Sequence, residues 1–120
     1  MTTIVANTFD RIVNDPTKEV LVFYFVEWCA HAVSLEGTWA DLAYDVKEIE
    51  DLVIGKLDYI ENEVIGLDIR TYPTIKFYPK GNKTGIVYEA EKTLDDFKNW
   101  LYEHSPAYKN ANPNHNEESA

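Results

Sequence analysis

Val20-Leu21-Val22-Phe23-Tyr24-Phe25-Val26, followed at once by Glu27-Trp28-Cys29-Ala30-His31-Ala32, decides how the chain folds. The first seven residues show no polar alternation and are rich in β-branched and aromatic types, which predicts a central strand buried on both faces. A helical pattern takes over near Ala30. Leu35, Trp39, Leu42, Ala43 and Val46 recur on one side, with Glu36, Asp41, Asp45 and Lys47 opposite, so a long amphipathic helix follows. Gly37 inside it costs about 1 kcal/mol against alanine. Cys29 stands at the junction and is the only cysteine in 120 residues. A lone thiol there is either a small core residue or a reactive group.

The length fits one domain with one core, ending near Tyr108. Hydrophobic residues make up 45% of the chain and aromatics 13%, enough for a packed interior. Asp and Glu outnumber Lys and Arg by 21 to 11, a formal charge of -10 that would repel a polyanion. With no basic stripe interleaved with aromatics, nucleic acid is excluded as a partner, and the acidic balance reads as a solubilising surface. No run approaches the roughly 20 apolar residues of a membrane span, so no membrane association is expected. Met1-Thr2-Thr3 lacks signal-peptide character, so any leader lay upstream or has been removed. One cysteine leaves no internal disulfide framework and no multi-cysteine zinc site.

Before the strand, Asn7 is read as an N-cap with Asp10 in the first turn, and Phe9, Ile12 and Val13 share a face, predicting a short helix. Asn14-Asp15-Pro16 ends it. Leu52 to Asp58 reads as a second core strand, and Asn62 to Leu67 as a short helix. A strand, helix, strand order implies a parallel crossover. Pro73 to Pro79 alternates Ile75 and Phe77 with Lys76 and Tyr78, then turns through Lys80-Gly81-Asn82-Lys83 into a hairpin partner at Gly85 to Tyr88, which makes the sheet mixed. Thr93 with Asp96 reads as a helix cap, with Leu94, Phe97, Trp100 and Leu101 as the apolar face beyond it. Asn110 to Ala120 reads as a frayed tail.

In order, a short helix, a buried strand, Trp28-Cys29-x-His31 opening a long helix, a parallel crossover, Tyr72-Pro73-Thr74, a hairpin and a closing helix resemble the catalytic-type thioredoxin domain of protein disulfide isomerases. The likeness covers about residues 3 to 104. It rests on Phe25-Val26-Glu27-Trp28-Cys29-Ala30-His31, Gly55-Lys56-Leu57-Asp58, Tyr72 to Pro79 and Thr93-Leu94-Asp95-Asp96-Phe97. The resemblance implies an α/β thioredoxin fold, a central mixed sheet of about five strands flanked by about four helices. Residues 1–108 would form the domain and 109–120 a disordered tail or linker.

The resemblance also implies a Trp-Cys-Gly-His-Cys site, in which the first cysteine attacks a substrate disulfide and the second releases the mixed disulfide. Cys29 matches the first cysteine and His31 the histidine, whereas Ala30 replaces the glycine and Ala32 the resolving cysteine. Such a site is degenerate and lacks dithiol oxidoreductase activity of its own. Phe23 stands where the family places a buried acid, and Lys56 matches the lysine that pairs with that acid. Lys92 matches a late-loop arginine that modulates the second cysteine, Gly37 a helix-kinking proline, and Glu27 the proline before the tryptophan. Several of the lost groups served the missing thiol.

Cys29 at a helix start, with His31 in the first turn, favours a thiolate and a pKa below about 8.5; the alternative is an inert buried cysteine. His31 read alone is a surface histidine, and neither it nor His104 and His115 has the spaced partners of a metal site, so no metal and no cofactor are expected. Tyr72-Pro73 is implied to be a cis bond in a loop facing the thiol, and with Trp28 to line a surface that pairs with extended peptide. Trp39 is read as core. An unpaired Lys56 in an apolar strand must shift its pKa, find an acid such as Asp58 or a carbonyl, or reach solvent; solvent or a carbonyl is favoured. Two functions follow. One is a redox-impaired module that binds unfolded or disulfide-bearing polypeptides; the other is a monothiol isomerase or reductase acting through Cys29 mixed disulfides, with glutathione as a further partner. The resemblance implies the endoplasmic reticulum lumen and neighbouring thioredoxin modules in a longer chain.

Overall fold

A computed structural model describes residues 1–27, 30–64, 66, 67 and 69–115, apart from the side chains of His31 and Ala32. The element order is β1 (Thr2–Thr3), α1 (Ala6–Val13), β2 (Glu19–Phe25), α2 (Ala30–Asp45), β3 (Leu52–Asp58), β4 (Thr74–Tyr78), β5 (Ile86–Val87), α3 (Leu94–His104) and α4 (Pro106–Ala111). The sheet order is β1-β3-β2-β4-β5, with β1 and β2 parallel to β3 and β4 antiparallel to both β2 and β5. The expected mixed five-stranded sheet with four helices is therefore the fold, and β2 is its central strand.

β2 is buried along its whole length because both faces of the sheet are covered. On one face Leu21, Phe23 and Phe25 pack against Leu35, Trp39 and Leu42 of α2 and Phe97 and Leu101 of α3. On the other, Val20, Val22 and Tyr24 meet Ile4, Val13 and Leu57, with Phe9 and Ile12 of α1 over them. Trp39 is 0% exposed, and its indole N–H donates to the Gly55 carbonyl at 3.0 Å, tying α2 to β3. A side chain at Gly55 would put its Cβ 2.6 Å from Ile4 Cδ1, so a larger residue there would displace the buried Ile4 side chain.

Three local expectations need correction. The N-cap of α1 is Val5, and Asn7 lies within the helix. Its first N–H groups are satisfied by Thr8, whose Oγ1 accepts from Val5 N at 3.1 Å, and by Asn62, whose Oδ1 accepts from Ala6 N at 3.2 Å. The second of these is a long-range contact. Segment 62–67 is turn and irregular chain among its described residues, not a helix. Asn62 is held back on Asp58 by both its backbone N–H and its side-chain amide, and Gly66 has φ +86, which a helix cannot accommodate.

The fourth helix is instead α4, at the end of the folded chain, where Asn110 was read as the start of a frayed tail. Pro106 opens α4 and Ser105 caps it, its hydroxyl accepting from Tyr108 N at 3.0 Å. Beyond it His115 is buried, with Nε2 2.6 Å from Asn99 Oδ1 and Nδ1 3.2 Å from the Tyr108 hydroxyl. The anchor of this end is Glu19. Its carboxylate is 1% exposed and accepts from the Ser105 hydroxyl at 2.5 Å and from Ala107 N at 2.9 Å. A buried carboxyl side chain at the start of the central strand thus serves as a polar clamp for α4.

Candidate functional site

Parallel pairing of β2 with β3 aligns their C-terminal ends, with Phe25 opposite Asp58. The antiparallel pair β2 and β4 sets Tyr24 opposite Thr74, which brings the Tyr72-Pro73 bond to the same end of the sheet. That bond is cis. Phe25 leads through Val26 and Glu27 into the connection from which α2 starts at Ala30. The topology therefore converges the start of α2, the loop after β3 and the Pro73 loop on one edge. Trp28 and Cys29, and the side chain of His31, lie outside the described residues.

The Pro73 loop is pinned by short local bonds. The Thr74 hydroxyl donates to the Thr71 carbonyl at 2.5 Å. Tyr59 donates its hydroxyl to the Leu67 carbonyl at 2.8 Å, and its ring centroid lies 6.1 Å from that of Tyr72. Partial burial, with a smaller contribution from Tyr59, raises the Tyr72 phenol above its ordinary range. Around this edge several apolar side chains face solvent: Val33 in the first turn of α2 is 45% exposed, and Ile60 in the loop after β3 is 53% exposed. Neither residue stands out in the sequence, since each is one apolar residue among mixed neighbours, Ala32 and Ser34 in one case and Tyr59 and Glu61 in the other.

Lys92 lies across a shallow cavity from α2, lined by Ser34, Leu35, Thr38, Glu91 and Thr93. It is thus brought to the early turns of the helix that begins one residue after Cys29. Phe23 is fully buried, its ring 5.3 Å from Phe25 and 5.5 Å from Trp39, so the position that the resemblance gives to an acid is apolar interior. Lys56, opposite Phe23 in register, is half-buried and opens into a cleft of about 310 Å³ lined also by Glu27, Asp58 and Glu61. It reaches solvent there, and among the described residues it has no carboxylate at ion-pair distance. Alternation of Lys56 and Asp58 along β3 was the available signal for this cleft; Glu27 and Glu61 reach it only through the fold.

Among the described residues no group of three or more His, Cys, Asp or Glu is arranged to hold a metal ion. No helix among them is long and apolar enough to cross a membrane. What the edge offers chemically is a cis-proline loop, exposed apolar side chains and a helix start next to a single thiol in the sequence.

The family model described as Thioredoxin matches residues 1–103. The protein disulfide-isomerase of Saccharomyces cerevisiae is 41% identical over 102 residues, covering 83% of this chain and 20% of that protein. The rabbit (Oryctolagus cuniculus) protein disulfide-isomerase is 38% identical over 99 residues, 82% of this chain and 19% of its own length. The chain thus spans about a fifth of these relatives. Among solved structures, the zinc-bound form of human ERp44 superposes with a TM-score of 0.74 at 20% identity, over 85% of this chain and 30% of that one. The J-Trx1 fragment of ERdj5 gives 0.74 at 20% identity, over 86% and 50%. At such identities the structural likeness speaks for the fold.

Proposed function

The chain belongs to the thioredoxin family, with protein disulfide isomerases as its relatives, and from that premise we propose that it is a redox-impaired module of such a protein that binds unfolded or disulfide-bearing polypeptides. The observation that carries this reading is the single cysteine, Cys29, with Ala32 where a resolving thiol would stand. A domain with one thiol forms no internal disulfide, so it neither donates nor stores one by itself. Binding is supported by the edge already described. The Tyr72-Pro73 loop, Val33 and Ile60 share the end of the sheet at which Cys29 occurs in the chain, and exposed apolar groups there suit unfolded segments. The proposed setting is the endoplasmic reticulum lumen, beside further thioredoxin modules of a longer chain. Trp28, Tyr72 and Pro73 are the proposed contact residues, with Cys29 and His31 at the centre and Lys92 flanking.

A second reading is favoured by one observation, that Cys29 immediately precedes the first helical residue of α2. There the helix dipole stabilises a thiolate, with protonated His31 as an added positive charge. In that reading the Cys29 thiolate attacks a client disulfide, forming one S–S bond and expelling one client thiolate. A second client thiol or glutathione then attacks the mixed disulfide and frees Cys29, so no net oxidant is needed.

Refolding of scrambled ribonuclease and suppression of aggregation of a reduced, unfolded client separate the two when wild type is compared with Cys29→Ser. The binding reading expects both proteins to suppress aggregation equally and neither to reshuffle disulfides. Faster reshuffling by wild type selects the monothiol reading. Failure of either protein to hold the unfolded client overturns the binding role.

A further inference from the structure

On the α1 face of the sheet, a groove of about 380 Å³ runs between α1, segment 64–67 and the β4–β5 hairpin. Its lining is mixed: Phe9, Val64 and Leu67 bring apolar side chains, Asn14, Tyr78 and Thr84 polar ones, and two lysines, Lys76 and Lys83, stand among them. Both flank Tyr78. Lys83 Nζ donates to the Lys18 carbonyl at 2.8 Å and to the Tyr78 carbonyl at 3.5 Å, and Lys76 Nζ sits 5.7 Å from the Tyr78 ring centroid. Gly85, at φ +92, leaves room for Lys76, since a Cβ there would lie 3.0 Å from Lys76 Cε.

The charge arrangement runs against the rest of the molecule. Acids outnumber bases 21 to 11 in the chain, yet among the described residues neither lysine has a carboxylate at ion-pair distance. Asp15 and Glu19 act on Lys83 only from longer range, and the Glu19 carboxylate is already committed to Ser105 and Ala107. Carbonyls occupy two of the three Lys83 ammonium donors, leaving one for another acceptor. Burial lowers the pKa of this ammonium, the mark of a positive charge incompletely compensated by its surroundings.

We propose that this groove binds a small amphipathic anion, with a carboxylate at Lys76 and Lys83 and an apolar body along Phe9, Val64 and Leu67. The volume falls in the roughly 300–1,000 Å³ range of small-molecule sites, and a lining that combines apolar side chains with two ammoniums suits a ligand with a charged head and an apolar body. A compact inorganic anion would leave the apolar walls unused, and a neutral alkyl chain would leave both ammoniums uncompensated. The site contains neither Cys29 nor the Pro73 loop and does not depend on the redox reading.

The test is a titration of the ¹⁵N-labelled chain with octanoate, with octanol and inorganic phosphate as controls. Octanoate is expected to produce saturable amide shifts confined to Phe9, Val13, Leu67, Lys76 and Thr84, with octanol and phosphate each at least tenfold weaker. Lys76→Gln and Lys83→Gln should each weaken octanoate at least fivefold, while Cys29→Ser leaves it unchanged. Should Lys83→Gln disturb the fold through its lost carbonyl bonds, Lys76→Gln alone decides. Shifts scattered outside the groove, equal binding of octanol, or wild-type affinity in Lys76→Gln overturns the proposal.

Discussion

Phe23 on β2 stands directly opposite Lys56 on β3, a fully buried aromatic ring beside a half-exposed ammonium. The two strands pair along their full lengths, so the lysine cannot slide past its neighbour. It turns outward to the cleft with Glu27, Asp58 and Glu61 and leaves Phe23 to the aromatic cluster with Phe25 and Trp39. Whatever carboxylate chemistry this edge supports is therefore carried at its solvent rim.

Phe23→Glu puts a carboxylate in that cluster. Lost ring packing and a buried acid should together cost about 3–5 kcal/mol, measured by urea unfolding at pH 7. A cost below about 1 kcal/mol would show that Lys56 swings inward to pair with the new acid.

Ala32→Cys supplies the missing second thiol of the proposed exchange site. Mild oxidation of the monomeric variant should consume both thiols and add one internal disulfide, read by thiol titration and mass spectrometry. If both thiols persist in the monomer, the assignment of positions 29 and 32 to one disulfide-exchange site is wrong.

Removing the carboxylate in Glu19→Ala orphans the Ser105 hydroxyl and the Ala107 N–H in a buried place. The expected loss is about 2–3 kcal/mol, with amide exchange accelerated most in α4. Glu19→Gln should lose less, since an amide oxygen still accepts one of the two bonds. Equal stability of the alanine variant and wild type would mean that α4 is held by its apolar contacts alone.

Tyr24 and Tyr78 share a buried hydroxyl–hydroxyl bond of 2.6 Å, and burial raises both phenols above their ordinary value of 10.0. Burial also pushes Tyr88 up to about 12. Above pH 10 the unfolded chain releases these protons while the folded chain keeps them. Their contribution is thus complete below pH 10 and declines as pH rises, by about 1.4 kcal/mol per unit for each group. Lys83, with a lowered pKa, works in the opposite sense just below its ordinary 10.5. Urea unfolding between pH 8 and 11 should show falling stability, and the Tyr24→Phe, Tyr78→Phe double variant a shallower fall. At pH 7 each single variant should cost about 1–2 kcal/mol, and the double less than the sum. Parallel alkaline slopes in wild type and double variant would remove the tyrosine pair as the cause.

The strong signals in the chain were local and periodic. The unbroken apolar run at Val20–Val26 could only be a strand covered on both sides, and the 3.6-residue spacing from Leu35 to Val46 could only be α2 facing the core. Thr93 with Asp96 marked α3 because a hydroxyl two or three residues before free amides is a complete cap by itself, and the hydroxyl does accept from Asp96 N. Tyr72-Pro73, too, was legible, since proline singles itself out. By contrast Asn7 offered a plausible cap that lost to Thr8 and to Asn62, which sits 56 residues away from Ala6 in the chain. Segment 62–67 lost its helix to Gly66 and to the pull of Asn62 toward α1 and Asp58. Ser105-Pro106 carries a cap and an N1 proline, the local signature of α4 ahead of the polar tail.

Sequence alone determined the family-type order of elements, the central strand and the thiol count, one cysteine at position 29 with an alanine at 32, whatever the fold does. Tertiary structure decided where the charges went. Glu19, which looks like the polar edge of a strand, is buried because α4 returns to it with a hydroxyl and an amide. Lys56, which looks buried, reaches water because Phe23 and Trp39 fill the space beside it. Lys76 on β4 and Lys83 in the turn after it line one groove beside Tyr78. Burial of a charge depends on which distant groups arrive to solvate it, and one-dimensional order does not carry that information.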